Sequence, residues 1–170
     1  PLSIIVKESI DRTVYEPSIM KGVFFMPSEK LWTRDYMFDI GVNFLVYCVH
    51  FLLMLWSTSY AIYTWHASIS MAGLASGLFI VGALFARIPA GRFIDFIGRR
   101  RMFLVGTALF FLLILCYEMA PTLELFMVVR FIHGLAFGTT STAASTVVAS
   151  LVPLHRMGTG IGYFTLGVTM

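Results

Sequence analysis

The stretch IGVNFLVYCVHFLLMLWSTSYAIYTWHASISMAGLASGLFIVGALFA, from Ile40 to Ala86, carries no formally charged side chain; its only basic groups are the imidazoles of His50 and His66. A water-solvated domain needs lysine, arginine, aspartate and glutamate to cover its outside, so this stretch alone excludes a soluble fold. The rest of the chain agrees: of 170 residues 58% are hydrophobic and only 12% charged, a composition that belongs in a bilayer. In lipid every backbone polar group must be bonded internally. With no alternating apolar and polar period to suggest a barrel, the expected fold class is all-α, a polytopic transmembrane helical protein.

Four spans are expected at about 37–61, 69–91, 102–119 and 123–149, with a fifth from about 157; each full one is near the ~20 residues that cross a ~30 Å hydrocarbon core. The first apolar run has no small-residue cleavage site and is followed by others, so it reads as a spanning helix rather than a signal peptide. Residues 1–35 read as a polar cytoplasmic lead-in. Met26, followed by PSEKLWTRDY, reads as a natural start, so that 1–25 would be upstream sequence that is not native. A native peptide beginning well before Met26 would refute that.

Lys30, Arg34, Arg92, Arg99, Arg100, Arg101 and Arg156 fall on one side of the expected spans, while the turns near His66 and Pro121 carry no lysine or arginine. By the positive-inside rule the amino terminus is cytoplasmic, and Tyr63 and Trp65 are interface anchors on the outer side. The net charge of +3 therefore reports topology. No basic face with aromatic interleaving points to nucleic acid. Cys48 and Cys116 lie inside apolar runs and show neither a metal-ligand spacing nor a disulfide framework.

Between the second and third spans stands Gly91-Arg-Phe-Ile-Asp95-Phe-Ile-Gly98-Arg99-Arg100. This resembles the major facilitator signature G-x-L-x-D-R-x-G-R-R, found in the same cytoplasmic loop of that superfamily. The resemblance covers about residues 31–170. It implies that 36–170 is part of the first six-helix half of such a transporter, four full helices plus the start of a fifth, with the remainder of the transporter as its partner. In the family the aspartate faces the amino end of a helix from the second half and helps close the cytoplasmic side, a role that Asp95 would take. Gly91 and Gly98 would give the loop its tight path, and Arg99 and Arg100 would hold it at anionic headgroups. Phe96 departs from the pattern, because the family usually has a basic residue there.

Arg130-Phe-Ile-His133-Gly134-Leu-Ala-Phe-Gly138 resembles the family pattern of an arginine ahead of a glycine-rich face, tied in proton-coupled members to proton transfer. Arg130 reads as the charge set well inside a span, where it must face the interior. Helix rise places it ~10 Å below the outer edge and His50 at nearly the same depth, ~20 Å from the inner edge. The two can therefore meet, and His50 and His133 become candidates for proton coupling, against the alternative that they are hydrogen-bonded packing residues. Asp39, Asn43 and Tyr47, at i, i+4 and i+8, share one face of the first span and are candidates to line a cavity. Gly134 with Gly138, and Gly73 with Gly77, read as close-packing devices. Gly158, Gly160, Gly162 and Gly167 resemble the glycine-rich lead-in of span five in proton antiporters.

The expected function is thus that of a fragment of a secondary active transporter working by alternating access in the plasma membrane. Its partners would be lipid and a small-molecule substrate, its direction efflux by proton antiport, and it would need no metal or cofactor beyond the coupling proton. An uptake symporter of the same superfamily is the alternative. A membrane enzyme has little support, since no His-Glu-x-x-His spacing, serine elbow or carboxylate pair occurs within a span; a non-transporting remnant is the remaining reading.

Overall fold

The structure, a computed structural model, describes residues 30–169; the readings made of 1–25 and Met26 lie outside the described residues. The elements are α1 (Arg34–Trp65), α2 (Ile69–Ile97), α3 (Arg99–Leu115), α4 (Leu123–Leu151), a single 3-10 turn (Leu154–Arg156) and α5 (Met157–Thr169). Among the described residues there is no strand, and the all-α fold follows.

Local chemistry sets the helix ends. Thr33, Ser68 and Thr122 are N-caps whose side-chain oxygens accept from the backbone N–H groups of Tyr36, Met71 and Leu125, each at 3.3 Å, relieving donors that the first turn leaves unpaired. α1 stops at His66, which adopts a left-handed conformation (φ 50°). The Trp65 indole then donates to the Pro121 carbonyl at 3.3 Å, tying the α1–α2 turn to the turn before α4.

Two boundaries differ from expectation. The third helix ends at Leu115 rather than 119, and a hydrogen-bonded turn follows it. Its 17 residues reach about 26 Å. The signature segment, expected as a loop, is mostly helix: α2 continues through Ile97, and a single residue, Gly98, separates it from α3. Phe93, Ile94, Phe96 and Ile97 keep the chain apolar enough for a helix to run on through the segment. Gly98 has φ +90° and needs to be glycine. Gly91 lies inside the helix with open space around it, so the tight turn rests on Gly98 alone.

Packing is inverted relative to a soluble bundle. The bundle interior buries Asp39, Asn43, Ser57, Ser76, Arg130, His133 and Thr140, while Leu52, Leu55, Ile80, Leu84, Ile88 and Leu115 point outward. Water would oppose both arrangements; lipid tails favour the second and drive the polar groups together. α1, α2 and α4 are each long and apolar enough to cross a membrane.

The tightest contact is between α2 and α4. A Cβ added at Gly134 would strike the Phe79 carbonyl, one at Gly138 the Ala83 carbonyl, and one at Gly82 the Phe131 carbonyl. The two backbones thus meet over three glycines, in the manner of small residues at membrane helix interfaces. At Gly73 and Gly77 nothing lies within 4 Å of an added Cβ, so the close contact expected of that pair falls instead to Gly82, one turn or more further along. α3 leans on α4 through Gly106, whose added Cβ would sit 2.7 Å from the Thr140 hydroxyl. α5 is tied to α1 by the Tyr36 hydroxyl, which donates to the Gly160 carbonyl at 2.8 Å.

Candidate functional site

The centre of the bundle is built around Arg130, which is fully buried in α4 about two turns from its start. One guanidinium nitrogen, Nη1, donates to the Tyr117 hydroxyl at 3.4 Å, and Cζ stands 5.0 Å from the centre of the Phe79 ring, within cation–π range. Nε and Nη2 have no partner. No carboxylate answers this charge: the two ion pairs among the described residues are Asp95–Arg99 and Asp35–Arg100.

Tyr117 passes the contact onward, because its hydroxyl also pairs with Nδ1 of His133, one turn along α4 from Arg130. A guanidinium can only donate, so the phenol accepts from Arg130 and keeps its own proton for Nδ1. In that pairing Nε2 of His133 carries the ring proton, and it too is buried without a partner. Sequence reasoning missed Tyr117, since a tyrosine beside Glu118 at a helix end looks like any interface anchor; its complete burial appears only when α3 is packed on α4.

His50 reaches the same cluster from α1. Its ring stacks on Phe79 (centroids 4.6 Å apart) and on Phe137 (4.7 Å), and its Nδ1 has no partner. Arg130 and His50 are therefore brought to one aromatic ring, Phe79, without a hydrogen bond between them. The cluster as a whole is a fixed positive charge, two imidazoles and a phenol, with unpaired polar atoms on three of the four. Such groups are costly to leave unsatisfied in the interior, and of their side-chain types imidazole is the one whose charge changes near neutral pH in water.

Asp39 and Asn43 are buried one turn apart near the start of α1, and both carboxylate oxygens and the amide oxygen lack partners. Asp39 borders a cavity of about 530 Å3 whose rim holds Asp35, Arg99 and Arg100. Tyr47 stands further along the same face, edge-on to Phe137 with centroids 5.1 Å apart.

At the signature segment Arg99 pairs with Asp95 at 3.7 Å across the α2–α3 junction, and Arg100 with Asp35 at 3.3 Å. The second pair was not foreseen: it joins the first turns of α1 and α3, far apart in sequence. Phe96 is 86% exposed. Also missed was Arg87, a second charge inside an apolar run, masked in the sequence by the basic segment that follows it. It borders a smaller groove of about 330 Å3 with Tyr47, Ser141, Thr142, Ser145 and Thr165. Among the described residues no group of three or more histidines, cysteines or carboxylates is placed to hold a metal ion.

Residues 40–170 match the family model described as Major Facilitator Superfamily. The chain belongs to the Major Facilitator Superfamily. Arg130, His133, His50 and the whole signature segment fall within the matched range, whereas Asp35 and Asp39 lie just ahead of it. Among major facilitator relatives, a Bacillus subtilis protein named for metabolite transport, YncC, is 36% identical over 86 residues, covering 51% of this chain and 18% of its own length. NiaP, a B. subtilis protein named for niacin and nicotinamide transport, is 27% identical over 128 residues, covering 75% of this chain and 29% of its own. The major myo-inositol transporter IolT of B. subtilis is 29% identical over 86 residues, 51% of this chain and 18% of its own. The chain spans less than a third of the length of these major facilitator proteins. No solved structure matches it.

Proposed function

We propose that this chain is the first part of a secondary active transporter that moves a small metabolite by alternating access, coupled to protons through the cluster of Arg130, Tyr117, His133 and His50. One observation carries the reading: a buried arginine within a span, facing no carboxylate and holding two unpaired N–H-bearing nitrogens. An ionised side chain at the middle of a spanning helix costs at least ~2.5 kcal/mol, so it persists where a transported species or a moving proton meets it.

Residues 36–170 would then be most of a six-helix half whose amino terminus faces the cytoplasm of the cell membrane. Asp95 would close the cytoplasmic side against a helix of the second half. The relatives' names favour a metabolite as cargo over a bulky apolar drug. Export remains the preferred direction, on the glycines that open α5. Uptake is the second reading, and the signature segment serves both equally. No catalytic role is assigned to the histidines.

The test is reconstitution of the full-length protein in liposomes loaded with a pH-sensitive dye, with nicotinate and myo-inositol among the metabolites added outside. Proton movement that requires both protein and metabolite, and that falls in His50→Gln, is the expected result. Proton movement no greater than in protein-free liposomes across the panel would overturn it, as would chemical conversion of the metabolite by detergent-solubilised protein. Adding metabolite outside under an inward and then an outward proton gradient separates uptake from export.

A further inference from the structure

Arg87 is ten residues from the end of α2 at Ile97, about 15 Å along the axis. A 29-residue helix is about 43 Å long and overhangs a ~30 Å core at both ends, so a centred α2 places this charge ~8 Å inside the hydrocarbon layer. A guanidinium at that depth needs water or a partner, and neither ion pair among the described residues includes it. Its side chain is exposed and borders the 330 Å3 groove with Tyr47 of α1, Ser141, Thr142 and Ser145 of α4, and Thr165 of α5.

The serine and threonine hydroxyls of that groove have a definite polarity. Ser141 and Thr142 donate to the Gly138 carbonyl at 3.2 and 2.8 Å, Ser145 to Thr142 at 2.9 Å and Thr165 to Ile161 at 2.9 Å. A hydroxyl has one proton, and in each case a helix carbonyl holds it, leaving lone pairs for anything else that approaches. The glycine, serine and threonine run of α4 therefore divides. Its glycine side meets α2, and its hydroxyl side offers acceptors to the groove.

We propose that this groove is the substrate half-site and that its ligand is a small carboxylate bearing hydroxyl groups, with the carboxylate on Arg87 and the hydroxyls donating to Ser141, Thr142, Ser145 and Thr165. A guanidinium fork matches a carboxylate in shape and charge. A neutral polyol would leave Arg87 desolvated without a counter-charge, and a cation would be repelled. An acid without hydroxyls would forgo the acceptors. This inference rests on the transporter reading and names the cargo of that same protein.

The experiment is ligand binding by the purified full-length protein in detergent, followed by thermal stabilisation, with glycerate and gluconate as probes beside propionate, sorbitol and choline. Glycerate or gluconate should stabilise the protein, propionate more weakly, and sorbitol and choline not at all. Arg87→Gln should weaken glycerate binding roughly 10- to 100-fold, the loss of a charge-assisted hydrogen bond, and Ser145→Ala should lower the preference for glycerate over propionate by about 2- to 10-fold. Arg87→Lys, which keeps the charge, should retain part of the affinity and serves if Arg87→Gln fails to fold. Undiminished glycerate binding in Arg87→Gln would overturn the assignment and leave Arg87 as an anchor reaching for headgroups. So would a neutral or cationic probe binding best, or no carboxylate binding at all. If metabolite-driven proton flux persists in any of these cases, the cargo assignment alone has failed; if the flux is absent too, the transporter reading has failed with it.

Discussion

Gly138→Ala should destabilise the bundle sharply while Gly73→Ala should not, although both place one methyl group on a glycine of an apolar helix. At Gly138 the new Cβ would overlap the Ala83 carbonyl oxygen, with the Ala83 carbonyl carbon and Cα each at 2.9 Å. Those atoms are backbone and have no rotamer to escape into, so α2 and α4 must separate along the line where Gly82, Gly134 and Gly138 hold them together. Overpacking of this kind costs about 1–3 kcal/mol, and the rigid neighbour puts Gly138 toward the upper end, against a gain of up to ~1 kcal/mol from replacing glycine in a helix. At Gly73 only the gain applies, because nothing lies within 4 Å. The two variants should therefore differ by about 2–3 kcal/mol, a factor of roughly 30 to 150 in the folded-to-unfolded ratio. Cys48 and Cys116, both partly buried, allow a thiol-reactive dye to follow unfolding in detergent during a temperature ramp. Equal melting temperatures for the two variants, or the lower one for Gly73→Ala, would refute the geometry of the α2–α4 contact.

Two further substitutions probe other parts of the account. Tyr117→Phe removes the hydroxyl shared by Arg130 and His133 while keeping the ring, and should cost about 1–3 kcal/mol by leaving buried polar atoms unpaired; the same thiol assay measures it, and metabolite-driven proton flux should fall in parallel. Gly98→Ala, at φ +90°, should cost on the order of 1–3 kcal/mol in backbone strain, whereas Gly91→Ala should be neutral or mildly stabilising; the reverse order would mean that the turn between α2 and α3 is built elsewhere.

Much of the fold could be read from the sequence because lipid leaves few options. The uncharged stretch from Ile40 to Ala86 has to span, and basic residues have to sit where spans end. Helix ends were less legible wherever charge and apolar character mix. In the signature segment, glycine and arginine spell a loop, yet four large apolar side chains carry α2 through to Ile97. At the site, Arg130, His133 and His50 stood out as rare polar residues inside spans. Their connection did not, because the Tyr117 hydroxyl that links two of them comes from a different helix end, and Phe79, which receives both Arg130 and His50, is one of sixteen phenylalanines with nothing local to distinguish it. Arg87 was hidden by its nearness to a run of arginines that has a topological explanation. Which glycines touch a neighbouring helix depends on the rotation of each helix about its axis, and no periodicity within α2 selects Gly82 over Gly73 and Gly77.

The coupling role of Arg130 can be separated from its role in holding the bundle by comparing two transport modes of Arg130→Gln in proteoliposomes, using a labelled metabolite that the wild-type protein accumulates. Exchange of labelled for unlabelled compound at equal concentrations needs binding and alternation but no net proton movement; accumulation under a pH gradient needs all three. The account predicts that Arg130→Gln keeps exchange and loses accumulation. Accumulation at the wild-type level in that variant would contradict it.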